Sequence, residues 1–229
     1  MPLSPNHGPR RLGARPDLVV IHYTAMESHD AALARLCDPA AEVSAHWLIS
    51  GAGTVTKLVP EALRAWHAGA GRWGAVGDVN SRSIGIELYN CGDHPFAGPQ
   101  MAALEELLAG VMTRWQIPPE RIIGHSDMAP GRKDDPGPRF DWQRLARRGL
   151  SVWPVAGREQ GPVAASGPAA FDDLAKQFGY TADVTHAQRL AAFRLRFRPR
   201  ATGPVDAADM ALIADLAHRF PVDRTAPAP

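Results

Sequence analysis

Apolar residues recur along this chain with two periods. Residues 18–24 (LVVIHYT) form a β-branched, apolar run of strand length with His22 near its end. Residues 45–50 and 54–59 flank Gly51-Ala52-Gly53, a hairpin signal with a glycine-bearing loop. Residues 83–88 (SIGIEL) alternate: Ile84 and Ile86 share one face, Ser83, Gly85 and Glu87 the other. Ser28 offers an N-cap to a short helix carrying Ala32, Leu33 and Leu36. The clearest helical period covers 99–116, where Met101, Leu104, Leu107, Leu108, Val111, Met112 and Trp115 follow i, i+3, i+4 spacing. Pro118-Pro119 stops that helix. Residues 121–125 (RIIGH) predict another strand, and Asp141 can cap a closing helix. Residues 68–82 are Gly-rich and polar and predict a surface loop.

Strands and helices thus alternate over residues 1–155, which predicts an α/β catalytic-size domain: a mixed central β-sheet flanked by helices. Residues 156–169 are small, Gly- and Pro-containing and aperiodic, the composition of a linker. Amphipathic patterns at 171–178, 185–197 and 205–219 predict a small all-α three-helix domain over 170–222, near the lower size limit for independent folding. Residues 223–229 read as a tail.

The composition is that of a soluble globular chain: 229 residues, 45% hydrophobic and 21% charged. A net charge of +1 gives no field that would recruit nucleic acid or an anionic membrane. Cys37 and Cys91 form no C-x-x-C pair, which excludes a disulfide framework and disfavours a thiolate metal knuckle. Two buried thiols are the simpler expectation than one disulfide between them. No run approaches the roughly 18 apolar residues of a membrane helix. MPLSPNHGPRR lacks the apolar core of a secretory signal, so the expectation is a cytoplasmic monomer. The alternative is a periplasmic or outer-membrane-associated protein whose leader precedes this chain.

Chemistry concentrates around histidine. His7, His29, His94, His186 and His218 fall in loops or on polar helix faces, where solvation suffices. His22, His46, His67 and His125 lie in or beside apolar strands, and each buried imidazole needs a partner. His22 and His125 end predicted strands, the edge at which open sheets build sites. The loop after His125 carries Asp127, Lys133, Asp134 and Asp135. Two imidazoles and one carboxylate make a three-ligand set that leaves a fourth tetrahedral position for water. The residues alone do not choose among the three aspartates. Glu87 is either a salt-bridged edge residue or a general acid–base aimed into a site. Gly85 on the same face would leave room for a ligand.

The strings VVIHYTA (19–25), SAHWLIS (44–50), AWHAG (65–69), NSRSIGIEL (80–88) and GHSDMAPGRKDDPG (124–137) occur in that order. Together they resemble the type 2 N-acetylmuramoyl-L-alanine amidases, zinc enzymes related to peptidoglycan recognition proteins. The resemblance covers roughly residues 5–150. It implies one zinc ion per chain on His22, His125 and Asp135, with Glu87 and Lys133 as catalytic residues. It places His67, Asn80 and Trp66 at the substrate and favours a structural role for His46. The implied activity is hydrolysis of the bond between N-acetylmuramic acid and L-alanine in peptidoglycan or muropeptides. The alternatives are a non-catalytic recognition protein, disfavoured because all three ligands are present, and a phage-type endolysin of the same chemistry. A zinc peptidase of the H-E-x-x-H type is excluded, since that motif is absent. Residues 171–219 more loosely resemble a three-helix peptidoglycan-binding module, through Leu174, Phe178, Tyr180, Phe193 and Phe197.

Overall fold

The structure is a computed structural model that describes residues 4–155 and 166–223. In chain order the elements are β1 (His7–Gly8), β2 (Leu18–Tyr23), α1 (His29–Cys37), β3 (Trp47–Ile49), β4 (Val55–Lys57) and β5 (Arg64–Ala65). Then come α2 (Val79–Arg82), β6 (Ser83–Leu88), α3 (Gly98–Trp115), β7 (Ile122–Gly124), α4 (His125–Met128) and α5 (Trp142–Arg147). The last three are α6 (Pro168–Phe178), α7 (His186–Phe197) and α8 (Ala207–Arg219). Local chemistry fixes their ends. Ser28 accepts the Ala31 N–H at 3.1 Å to start α1. Thr185 and Asp206 each form a capping box, at α7 and α8. α3 ends one turn before the prolines, where Gln116 turns left-handed at φ 57 and its N–H bonds Met112 O.

The main sheet runs β4-β3-β6-β2-β7. β4 is an antiparallel edge strand, and the other four are mutually parallel. Parallel neighbours require crossovers. The segment containing α1 carries β2 to β3, and α3 carries β6 to β7. All four parallel strands therefore end at one edge. The register puts His22 opposite Glu87 and Ile21 opposite Gly124.

Alternation divides the sheet's two faces. Val19, Ile21, Ile84, Ile86 and Ile122 pack under α3, on Met101, Leu104, Leu108 and Val111. Leu18, Val20 and Ile123 face the other way, into a core shared with α6, α7 and α8. The three expected helices are therefore present, and Phe171, Phe178, Tyr180, Phe193 and Phe197 are all buried in that common core. The aromatic positions behind the resemblance to a glycan-binding module are spent on packing. α6 begins at Pro168, inside the segment expected to be a linker. Residues 156–165, and 224–229 of the expected tail, lie outside the described residues.

Two expectations need correction. Residues 68–82 are not a surface loop: Trp73, Val76 and Val79 are buried and join the same core. Glycine composition concealed three anchors spaced three apart. Gly74, at φ 54, lets the backbone approach closely enough for its N–H to bond Gly179 O at 3.0 Å. Trp73 then packs edge-on to Phe178 and Tyr180, with centroids 5.5 and 5.2 Å away. Second, both cysteines are free but not both buried: Cys91 is exposed and Cys37 half-buried.

The seam also holds a buried charge. Asp127, in α4, is fully enclosed. Its Oδ1 accepts from Tyr180 Oη at 2.6 Å; its Oδ2 accepts from Arg196 Nη1 at 2.6 Å and from the Gly124 N–H at 2.8 Å. Arg196 also donates to Ile122 O and Ser151 Oγ and stacks over Trp142 at 4.1 Å. Removing one partner strands the other charge in low dielectric. Arg196→Met should therefore cost about 3–5 kcal/mol in urea unfolding. Adding Asp127→Asn should recover part of the loss. A single-variant cost below about 1 kcal/mol would contradict this seam.

Candidate metal centre and its cleft

Strand register assembles the site. His22 lies one residue from the end of β2, and Glu87 is its Cα partner on β6. Gly124 pairs with Ile21, so His125, the next residue, arrives beside His22. The loop beyond α4 folds back, and the Ser126 N–H bonds Asp135 O at 2.9 Å. This returns the Asp135 side chain to the imidazoles.

Asp135 Oδ2 lies 2.9 Å from His22 Nδ1 and 3.1 Å from His125 Nδ1. The two rings meet edge-to-face, centroids 4.5 Å apart. The three donor atoms fall within 4.8 Å of one another, the only such group among the described residues. All three residues are buried. Three chemical features fit a divalent metal. The donors are two nitrogens and one oxygen, and no fourth protein ligand joins them among the described residues. The far ring nitrogen of His125 bonds Ala68 O at 2.8 Å, and that of His22 meets His67 Nδ1 at 3.0 Å, the outer contacts that orient metal-binding histidines. Charge is also suited. Burial, then the neighbouring His125, lowers the His22 pKa to about 4, which keeps it neutral. Burial pushes Asp135 upward, but hydrogen bonds from His125 and His22 outweigh it and hold the carboxylate ionised.

Glu87 sits half-buried at the same edge. Its Oε2 is sealed from solvent and has no hydrogen-bond partner among the described residues. Burial, then the charge of Asp135, raises its pKa to about 8, with Lys133 partly offsetting them. Lys133 is exposed and lines the same cleft, a cavity of about 380 Å³ also walled by Trp66, Tyr23 and Met26.

The remaining residues divide. Trp66 lines the cleft as expected from sequence. Asn80 does not: it is buried behind the site, its Oδ1 accepting the His67 and Ala68 N–H groups at 3.0 and 2.8 Å. His67 touches the cleft but fills the space over Gly85, where a Cβ would come within 2.5 Å of its ring. The room that Gly85 leaves is taken by His67, not by a ligand. His46 is fully buried; its Nδ1 accepts the Gly85 N–H at 2.9 Å and its Nε2 meets Leu63 O at 3.1 Å, a structural placement. Asp127 serves the seam, whereas Asp134 is exposed on the cleft rim. Sequence reasoning gave no role to Arg132, which lines the cleft and donates to Ala68 O at 2.7 Å, nor to Arg35 on α1. Arg132 lay within the quoted G-R-K string. Nothing in the pattern marked Arg35.

Two imidazoles around one carboxylate, beside a carboxyl of raised pKa and the cation Lys133, form the kind of group that metal-assisted hydrolysis uses. Comparison with known proteins makes this specific. The model of the N-acetylmuramoyl-L-alanine amidase family matches residues 12–138. AmiD of Escherichia coli K12, named an N-acetylmuramoyl-L-alanine amidase, is 36% identical over 234 residues, covering 90% of this chain and 84% of that protein. The solved complex of AmiD with anhydro-N-acetylmuramic acid-L-Ala-D-γ-Glu-L-Lys superposes with a TM-score of 0.82 over 91% of each chain. AMPDH3 of Pseudomonas aeruginosa, solved with an anhydromuramic pentapeptide, gives 0.82 at 29% identity, over 93% of this chain and 95% of that one. The chain belongs to the N-acetylmuramoyl-L-alanine amidase family.

Glu87 yields a pH signature in chelator-treated protein. Its folded pKa of about 8 exceeds the ordinary 4.5, so between those values the folded chain holds more protons than the unfolded one. This contribution to stability is complete below the lower value and is lost as pH rises to the upper one. Glu87→Gln should therefore lose less stability than wild type between about pH 5 and pH 8, read from urea midpoints. Equal losses would contradict the shift.

Proposed function

We propose that this chain hydrolyses the amide between N-acetylmuramic acid and L-alanine in muropeptides, with one zinc ion held by His22, His125 and Asp135. The observation that carries the proposal is the convergence of those three side chains within 4.8 Å at the mouth of a cleft that also holds Glu87 and Lys133. A zinc ion held by these residues would polarise a water molecule and lower its pKa to about 7.

The chain's own groups do the rest. His22 and His125 offer ring nitrogens to the ion, and Asp135 supplies a carboxylate oxygen. Glu87 shares the edge with His22 and takes a proton from the attacking water. It then returns that proton to the amine of L-alanine as the C–N bond breaks. A carboxyl with a pKa near 8 falls toward neutrality when a cation sits beside it, the range in which one group can perform both transfers. Lys133 brings positive charge to the oxyanion formed at the former carbonyl. Trp66 gives the cleft an apolar wall for the muramyl or peptide portion.

The direct test digests purified muropeptides with and without chelator and reads the products by mass spectrometry. Release of an intact stem peptide beginning with L-alanine, abolished by chelator and restored by zinc, is expected. Cleavage at another bond, or unchanged activity in chelator, would overturn the proposal. His125→Ala should lose zinc. Glu87→Gln should keep it while turnover falls on the order of 10²–10⁴-fold. Lys133→Met should lower turnover on the order of 10²–10³-fold. Near-normal turnover by Glu87→Gln would reassign the proton carrier.

A further inference from the structure

We propose that Arg35 binds the free α-carboxylate of a γ-linked glutamate, the second residue of the stem peptide, and so sets which stems the cleft prefers. The proposal rests on the reading of the cleft as a muropeptide amidase site.

Three cations line the cleft: Arg35, Arg132 and Lys133. Two of them are engaged. Arg132 donates through Nη2 to the carbonyls of Ala68 and Ala70. Lys133 acts on the charge of Glu87 and is assigned to the oxyanion. Arg35 is exposed in the last turn of α1, and among the described residues its guanidinium has no hydrogen-bond or ion-pair partner. The helix offers it none, because the residues four positions away are Ala31 and Pro39. Asp38, three residues on, accepts the Ala40 N–H at 2.9 Å instead.

The two walls of the cleft differ in charge. Ala32, Arg35 and Leu36 follow i, i+3, i+4 spacing, so one face of α1 turns toward the cavity with a cation and no acid. The loop after α4 contributes Asp134 and Asp135, which repel a carboxylate. An anionic group on the substrate is therefore favoured at α1.

Substrate chemistry identifies that group. The lactyl carboxyl of muramic acid is consumed in the amide to be cut, so it brings no charge. The peptide half does. Glutamate joined through its γ-carboxyl, as in the ligand solved with AmiD, keeps its α-carboxylate free one residue beyond L-alanine. An extended chain advances about 3.5 Å per residue, which keeps this group close to the cut bond. The cavity of about 380 Å³ is lined by Arg35 and the metal donors together. A guanidinium meets a carboxylate through two parallel N–H···O bonds. A cation in the last turn also suits the helix dipole, but that role alone would leave binding indifferent to the charge of the stem.

The test uses two muropeptides that differ only at this carboxyl, one free and one amidated. Turnover of both by the zinc-loaded full chain is measured, and binding of both to the chelator-treated full chain is measured by calorimetry. Unmutated protein should favour the free carboxylate about 10-fold in KM and in Kd. Arg35→Gln should erase that preference, and Arg35→Lys should retain part of it. An Arg35→Gln variant that kept the preference, or unmutated protein that showed none, would overturn the proposal. Cleavage of neither muropeptide would refute the amidase reading, and the two Kd values would still decide the role of Arg35.

Discussion

The parallel register of β2 against β6 and β7 is the constraint from which the site follows. His22 and Glu87 are Cα partners, and Gly124 pairs one step before His22, so His125 enters beside it. Side chains alternate with a period of two, and a slip of one residue would send His22 under α3 and an isoleucine into the cleft. Such a slip is opposed by the burial of Val19, Ile21, Ile84 and Ile86 on the face that α3 covers. The geometry of the candidate site is thus secured by hydrophobic packing on the opposite side of the sheet.

Electrostatics then distinguish otherwise similar acids. Asp135 stays ionised because two imidazoles bond it; Glu87 is pushed toward its neutral form by burial and the charge of Asp135, and its Oε2 has no hydrogen-bond partner among the described residues. Asp127, eight residues before Asp135, is neutralised by Arg196 from α7 and does not reach the cleft. Asp127 lies in α4, which also carries His125, so its pairing with Arg196 lets the C-terminal helices brace the segment that presents His125. The buried aromatic residues of α6 and α7 belong to the same brace.

Periodicity exposed most of the frame. β2, β6, α3 and the three C-terminal helices follow from apolar spacing, and strand ends pointed to His22 and His125. The alternation of residues 83–88 set Glu87 on the face opposite the isoleucines. What sequence pattern lacked was long-range pairing. Three loop aspartates look alike until Arg196, 69 residues away, captures one of them. The resemblance placed Asn80 and His67 at the substrate, yet their partners, the backbone of residues 67–68 and the far side of His22, are visible only in three dimensions. The 68–82 segment carried a usable signal in Trp73, Val76 and Val79, hidden beneath glycine and charge.

The central claim is that two imidazoles and one carboxylate from distant parts of the chain share a single divalent ion. X-ray absorption at the zinc edge of the loaded protein examines this directly. The account predicts a four-coordinate shell of nitrogen and oxygen at about 2.0–2.2 Å, with outer-shell scattering from two imidazole rings. A shell containing sulfur near 2.3 Å, or an all-oxygen shell without imidazole scattering, would contradict it.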